Sequence, residues 1–281
     1  MTQTPTHTEV RVVDRHLAPR VAGWLEGDPT RDGVLAHQHL LDALDSGEEE
    51  RVLVWPADEP RAVAFLASTG TLIVSGDAAG GPPLAAHLHG SGWRVLLGDA
   101  ALGRALLEAG SRGVLRRRGR AREQRLMGTR EPVDLPPPVG LRRARPADEE
   151  AVTELAARLH VEDRMGPPLS RPARASVGDR LRDSIARGAT WVVPRDGEIV
   201  AKVDVALASP LRGAQLAGVY VAEAWRGQGI AASAIAAVTR ELMAEGMPGV
   251  TLHVRADNGP GRRAYARAGY ADIAEWLLAL R

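Results

Sequence analysis

The chain has 281 residues, which at roughly 150 per domain allows one large or two ordinary domains, and its 44% apolar and 25% charged residues exclude a wholly disordered polymer. With 36 basic and 35 acidic side chains the net charge is +1, too balanced to argue for nucleic acid as a partner from global electrostatics. Cysteine is absent, which excludes disulfides, thiolate-bound zinc, cysteine-ligated iron–sulfur clusters and cysteine nucleophiles, and no uninterrupted run of about 20 apolar residues offers a membrane span.

Met1 to Glu9 is polar and lacks the apolar core of a signal peptide, so a cytoplasmic protein is expected. His37-x-His39 and His87-x-His89 fall in helix-like runs where i and i+2 point apart, so no metal is expected. From Thr71 the pattern becomes readable: a strand to Val74, a glycine-rich loop and short helix from Gly76 to Gly90, a strand at Trp93–Leu97, a helix at Ala100–Ala109, and extended chain from Val114. Arg112, Arg116, Arg117, Arg118, Arg120, Arg122 and Arg125 form a basic run without interleaved aromatics, which reads as a solvated or inter-domain face. Such skew is general, because Lys202 is the only lysine and Phe65 the only phenylalanine.

Three consecutive prolines, Pro136 to Pro138, cannot continue a helix or central strand, so the chain divides into 1–135 and 136–281. After the break come a short strand at Leu141–Ala144, a helix from about Asp148, a plausible cap, to His160, and a polar stretch with Pro167, Pro168 and Pro172. A second helix, Val177–Ala186, stops at Gly188. Asp196-Gly197 between the apolar runs Trp191–Val193 and Ile199–Val205 signals a hairpin. A strand at Ala214–Val221 leads through Arg226-Gly227-Gln228-Gly229 into a helix whose face carries Ile230, Ala234, Val238 and Leu242. Val250–Val254 is a strand, Pro260–Ala268 a short helix closed by Gly269, and Trp276–Leu280 a final strand. The order is βααβββαβαβ, of which the first half shows the closing βαβαβ.

Two glycines between a strand and a helix let successive N–H groups and the positive helix end converge on an anion, so the Arg226 loop looks like a pyrophosphate cradle. It lacks the Gly-Lys-Ser/Thr of a Walker loop and the G-x-G-x-x-G of a dinucleotide fingerprint. What remains is R-x-x-G-x-A. That pattern also occurs by chance at Arg116, Gly119 and Ala121, where no clear strand precedes it and no apolar helix face follows.

In the Arg226 context the chain resembles the GNAT superfamily of N-acetyltransferases, through Val219, Val221, Arg226, Gly229 and Ala231. The resemblance extends to Asn258-x(5)-Ala264-Tyr265-x(3)-Gly269-Tyr270 and covers 140–281. It departs at Glu223, where the family often has proline. It implies a mixed-sheet α/β (α+β) acyl-CoA N-acyltransferase fold, with 136–281 catalytic and 1–135 a degenerate GNAT-like half, in tandem. The implied cosubstrate is acetyl-CoA without a metal, bound by Val219, Val221, Arg226, Gly227, Gln228, Gly229, Ile230, Ala231 and Asn258, and Tyr265 would protonate the departing thiolate. The implied reaction is direct attack by a primary amine, with a small molecule expected as acceptor, no nucleic acid or membrane partner, and a monomer or homodimer. A protein lysine or N-terminus as acceptor, or a non-catalytic acyl-CoA-binding scaffold, are the alternatives. Because an alkylamine of pKa about 10.4 is neutral in only roughly one part in 2,500 at pH 7, a base is also expected. Asp204, Glu223, Glu162 and Asp163 are candidates, although Lys202 two residues from Asp204 suggests an exposed ion pair there.

Overall fold

The computed structural model describes residues 9–110 and 120–281. Arg112, Arg116, Arg117, Arg118 and Gly119, with residues 114–119 of the extended chain expected from Val114, lie outside the described residues, as does the side chain of Arg120; from residue 120 that chain is extended as expected. Chain contacts divide the protein into two compact units, Met1–Leu126 with Ile273–Arg281, and Met127–Asp272.

The first unit runs β1 (Arg11–Val12), α1 (Ala18–Glu26), α2 (Gly33–Ala36), α3 (Gln38–Asp45), β2 (Val52–Trp55), β3 (Ala62–Leu66), β4 (Thr71–Gly76), α4 (Gly81–His87), β5 (Val95–Asp99) and α5 (Ala100–Gly110). The boundary then falls inside β6 (Arg120–Thr129). Strands β1 to β4 pair antiparallel in sequence order and β4 pairs parallel with β5. This sheet buries Leu72, Leu96 and Leu102 with Leu84 of α4 in one cluster, and Val52, Val54 and Val63 with Val21, Leu25 and Leu41 of α1 and α3 in another. Because both faces are covered, β2 and β3 read as unbroken apolar runs, VLVW and AVAFL, and show no period-two alternation.

The second unit runs β7 (Arg142–Arg143), α6 (Glu149–Glu162), α7 (Arg171–Ala186), β8 (Thr190–Arg195), β9 (Glu198–Ser209), β10 (Gly213–Val221), α8 (Ile230–Ala244), β11 (Val250–Arg255) and α9 (Gly259–Arg267). The chain closes with β12 (Ala271–Leu280). Strands β7 to β10 are antiparallel neighbours and β10 pairs parallel with β11. Leu216, Ile235, Val238, Val250 and Leu252 build the core between the sheet and α8, each burial worth roughly 1.5–3 kcal/mol, while Val152, Leu181, Ile185 and Val192 join α6 and α7 to the other face. The hairpin between β8 and β9 turns through Asp196 at φ 49° and Gly197 at φ 84°, the two positive values that a two-residue turn matching strand twist requires.

The element order of 136–281 is the one expected, and the structure moves three local details. Helix α7 starts at Arg171, because Pro172 is tolerated in a first helical turn and Ser170 caps it by accepting from the N–H of Ala173 at 3.4 Å. Asp148 stands at the α6 N-cap position but its carboxylate does not cap that helix; it accepts from Arg142 at 2.6 and 3.0 Å and from the N–H of Arg145 at 2.7 Å. The final strand belongs by its contacts with the first unit, where Trp276 to Leu280 pair antiparallel with Asp99 to Val95, although it follows 136–272 in sequence. In the first unit, β1 to β3 and α1 to α3 add to the sequence reading, with three helices between β1 and β2 where 136–281 has two between β7 and β8.

Candidate active site

The ladder between β10 and β11 joins Ala214–Leu216 to Val250–Leu252 and goes no further. On its other side β10 carries a bulge: Ala217 faces Asp204 and Tyr220 faces Lys202, leaving Gly218 and Val219 without a register partner in β9. Beyond these points the strands part, and a cavity of about 660 Å³ opens between the end of β10, the loop into α8, the end of β11 and α9. That volume suits a small-molecule site.

Its floor is the loop from Arg226 to α8. Gly227 and Gly229 have φ of 78° and 77°, which side chains rarely tolerate, and Gly229 is the N-cap of α8. The first helical bond runs from the N–H of Ser233 to the Gly229 carbonyl at 3.1 Å, so the N–H groups of Gly227 to Ala232 donate to no acceptor among the described residues. Of the nine expected cofactor residues, Val219, Val221, Arg226, Gly227, Gly229, Ile230, Ala231 and Asn258 line this cavity; the loop brings Gln228 beside it but not into its lining. Tyr265, the expected acid, lines it as well.

Positive charge is concentrated on one wall. Arg263 and Arg267, one turn apart on α9, have no carboxylate partner among the described residues, whereas Arg262 is tied to Asp272 at 2.9 Å. Arg255 is held by Asp257 at 2.8 Å and by the Glu162 carbonyl at 2.8 Å, with Asp163 at 3.7 Å. Asn258 caps α9, its Oδ1 accepting from the N–H of Gly261 at 2.9 Å, so its acceptor oxygen already has a structural use.

Glu162, at the end of α6, also lines the cavity. It accepts from the Tyr220 hydroxyl at 2.6 Å and from Arg226 at 2.7 Å, and the Arg226 guanidinium lies 5.3 Å from the Tyr220 ring centre while also donating to the Val221 carbonyl at 2.9 Å. Burial, reinforced by the bond to the Glu162 carboxylate, pushes the Tyr220 phenol up to about 12. Tyr265 is buried, and burial first and the Asp163 charge second push its phenol upward too. It therefore stays protonated, and its hydroxyl donates to no acceptor among the described residues.

Glu162 and Asp163 line the cavity, whereas Glu223 lies outside it, on the wall of a separate depression with Glu198. Asp204 does not line the cavity either. The exposed Lys202–Asp204 pair expected from sequence is in fact a buried one: Lys202 is 1% exposed, because the pair faces α6 and α7 beneath the β10 bulge, where Thr190 also donates to Asp204 at 3.2 Å. Tyr220, Arg255 and Arg267 are among the lining residues that sequence reasoning passed over; the one available signal was a phenol between Val219 and Val221 at the end of a strand.

In the first unit His37 is a buried spacer between α2 and α3, its Nδ1 set against the carbonyls of Leu25 and Gly33 at 3.0 and 2.8 Å. Among the described residues no three His, Asp or Glu side chains gather as a metal site, and no helix is long and apolar enough to cross a membrane.

A parallel strand pair that splays over a glycine-rich helix start forms the kind of cradle in which phosphate groups are bound. Residues 153–270 match the Acetyltransferase (GNAT) family. No curated protein sequence matches the chain. Among solved structures it is similar to a GCN5-related N-acetyltransferase from Sphaerobacter thermophilus, at 20% identity and TM-score 0.59, with 99% of this chain and 96% of that one covered. A GNAT-family acetyltransferase from Colwellia psychrerythraea matches at 13% identity and TM-score 0.56 over 97% and 98% of the two chains. A Drosophila protein matches at 15% identity and TM-score 0.63 over 98% and 99%. At these identities the fold is what is shared, and it is shared along nearly the whole length.

Proposed function

We propose that the protein is an acetyl-CoA-dependent N-acetyltransferase that moves an acetyl group to the primary amine of a small molecule by direct attack in a ternary complex. The observation that carries this reading is that Gly227, Gly229 to Ala232 and Tyr265, whose N–H groups and hydroxyl donate to no acceptor among the described residues, line one cavity. We assign catalysis to 136–281, and we assign 1–135 to a GNAT-like half that has lost its cofactor loop.

Those residues fit the proposed cosubstrate. Six N–H groups at a helix start, with Arg263 and Arg267 nearby, form an electropositive floor for a pyrophosphate. Bound acetyl-CoA supplies a thioester, an acyl group activated toward amines. The backbone of Gly218 and Val219, which has no register partner in either neighbouring strand, would donate to the developing oxyanion. Tyr265 would donate to the departing sulfur. Since a thiol of pKa about 8.5 is a stronger acid than a phenol, Tyr265 stabilises the thiolate mainly by its hydrogen bond, and the amine supplies the net proton. Deprotonating that amine at pH 7 costs about 4.6 kcal/mol, which Glu162 or Asp163, both at the cavity, could offset.

Release of CoA thiol, measured over a panel of small primary amines, tests the reading. Amine-dependent release is expected. Transfer to lysine-bearing peptides with none to small amines would replace the acceptor class, and no release with any acceptor would overturn the activity.

A further inference from the structure

The sole lysine of the chain has an unusual place. Lys202 is 1% exposed on β9, paired with Asp204 two residues along the same face. Removing an ammonium from water costs several kcal/mol unless it is well paired, so a lysine here needs a reason. A polar chain supports the pair from behind, with Ser184 of α7 2.9 Å from the Thr190 hydroxyl and Thr190 bonded to Asp204. In front lies Gly218. Its φ is 54°, and a Cβ there would fall 2.6 Å from Lys202 Nζ and closer still to the Asp204 carboxylate. The ion pair thus occupies the space of the missing Gly218 side chain. The next residue, Val219, lines the cavity, and Tyr220, the register partner of Lys202, reaches Glu162.

We propose that Lys202 and Asp204 are positioning residues for acyl transfer, their buried ion pair fixing the bulged Gly218–Val219 peptide of β10 at the cavity wall. The inference rests on the acetyltransferase reading and names the side chains that hold its backbone donors in place. An ion pair suits this task better than apolar filling, since charge-assisted bonds fix the position of Nζ whereas a methionine or leucine keeps rotamer freedom. Neither side chain touches substrate; both act through the backbone of Gly218 and Val219.

The test compares the wild-type chain with Lys202→Met and with the double variant Lys202→Met/Asp204→Leu. The single variant leaves a buried carboxylate unpaired and can fail to fold, whereas removing both charges leaves no orphan, so the double variant is the informative protein. The expected result is a folded double variant whose kcat is about tenfold or more below wild type, whose Kd for CoA stays within about threefold, and whose preference for acetyl-CoA over CoA is lost. Wild-type kcat and preference in the folded double variant would overturn the inference and leave the acetyltransferase reading standing. A wild-type protein that binds neither acetyl-CoA nor CoA overturns that reading, and the inference with it.

Discussion

The parallel strand pairs β4–β5 and β10–β11, one in each unit, end differently. In the first, β4 and β5 pair from Thr71–Val74 to Val95–Gly98, and the next side chain, Asp99, fills the gap beyond. Its carboxylate accepts from the Gly76 N–H and the Ser75 hydroxyl, both at 2.7 Å, and from Arg31 at 2.5 and 2.9 Å. In the second unit, β10 and β11 part after Leu216 and Leu252, and the gap is the cavity. The connections to the following helix differ in the same sense. Pro82 and Pro83 occupy the first turn of α4 and have no N–H to offer, and a Cβ at Gly81 would fall 2.5 Å from that of Ala105, so this loop is packed tight. Before α8, by contrast, six successive N–H groups are free and a Cβ on Gly229 would meet only Arg267, at 3.8 Å. The gap of the first unit is thus filled by the chain's own Asp99 carboxylate, while that of the second stays open.

The largest effects should come from breaking each arrangement at its anion. Asp99→Ala leaves the Arg31 guanidinium buried with only Asp28, at 2.8 Å, as a charge partner, and should cost about 3 kcal/mol in chemical denaturation. Gly229→Glu puts a side chain at φ 77° and a negative charge at the mouth of the cradle, and should weaken CoA binding by about a hundredfold or more in calorimetry with the fold unchanged by circular dichroism. Tyr265→Phe should lower kcat by about ten- to a hundredfold in thiol-release assays while the Kd for CoA moves little. Arg263→Ala and Arg267→Ala, exposed and unpaired, should each weaken CoA by only a few fold, an effect that fades with added salt.

Acid should distinguish the units as well. Burial raises the Asp99 carboxyl, but the bonds and charge of Arg31, with Ser75 and Gly76, outweigh it and hold the group below the usual carboxylate range. Its stabilisation is present above about pH 4 and is lost as pH falls through the lowered folded value. His37 adds an earlier loss: burial and the neighbouring Arg31 hold its pKa below 6.5, so the unfolded chain takes up a proton first and stability declines as pH falls below about 6.5. Between pH 7 and 5, His37→Gln should flatten the pH dependence of the melting temperature.

The second unit was legible because its signals are local. Asp196-Gly197 declares a hairpin, the four-residue spacing from Ile230 to Leu242 declares one helix face, and Gly227 and Gly229 mark the turn between strand and helix. The first unit before Thr71 was not, since β2 and β3 are apolar on both faces and α2 spans four residues. Nor could sequence place Lys202: an i, i+2 pair with Asp204 on a strand reads as a solvated ion pair until the covering helices are known. The pairing of β12 with β5 was equally hidden, because a long-range partner leaves no mark on a strand's own pattern. Glu162 stood among four carboxylates with nothing in the sequence to show that Tyr220 and Arg226 converge on it.

One cleft of the protein is open and the other is filled by the chain itself. Calorimetric titration of the full-length protein with acetyl-CoA, with CoA and ATP as controls, tests it most directly. The expected result is one acetyl-CoA bound per chain, CoA bound at the same site but more weakly, ATP not bound, and acetyl-CoA binding abolished in Gly229→Glu; two bound per chain, or binding that survives Gly229→Glu, would contradict it.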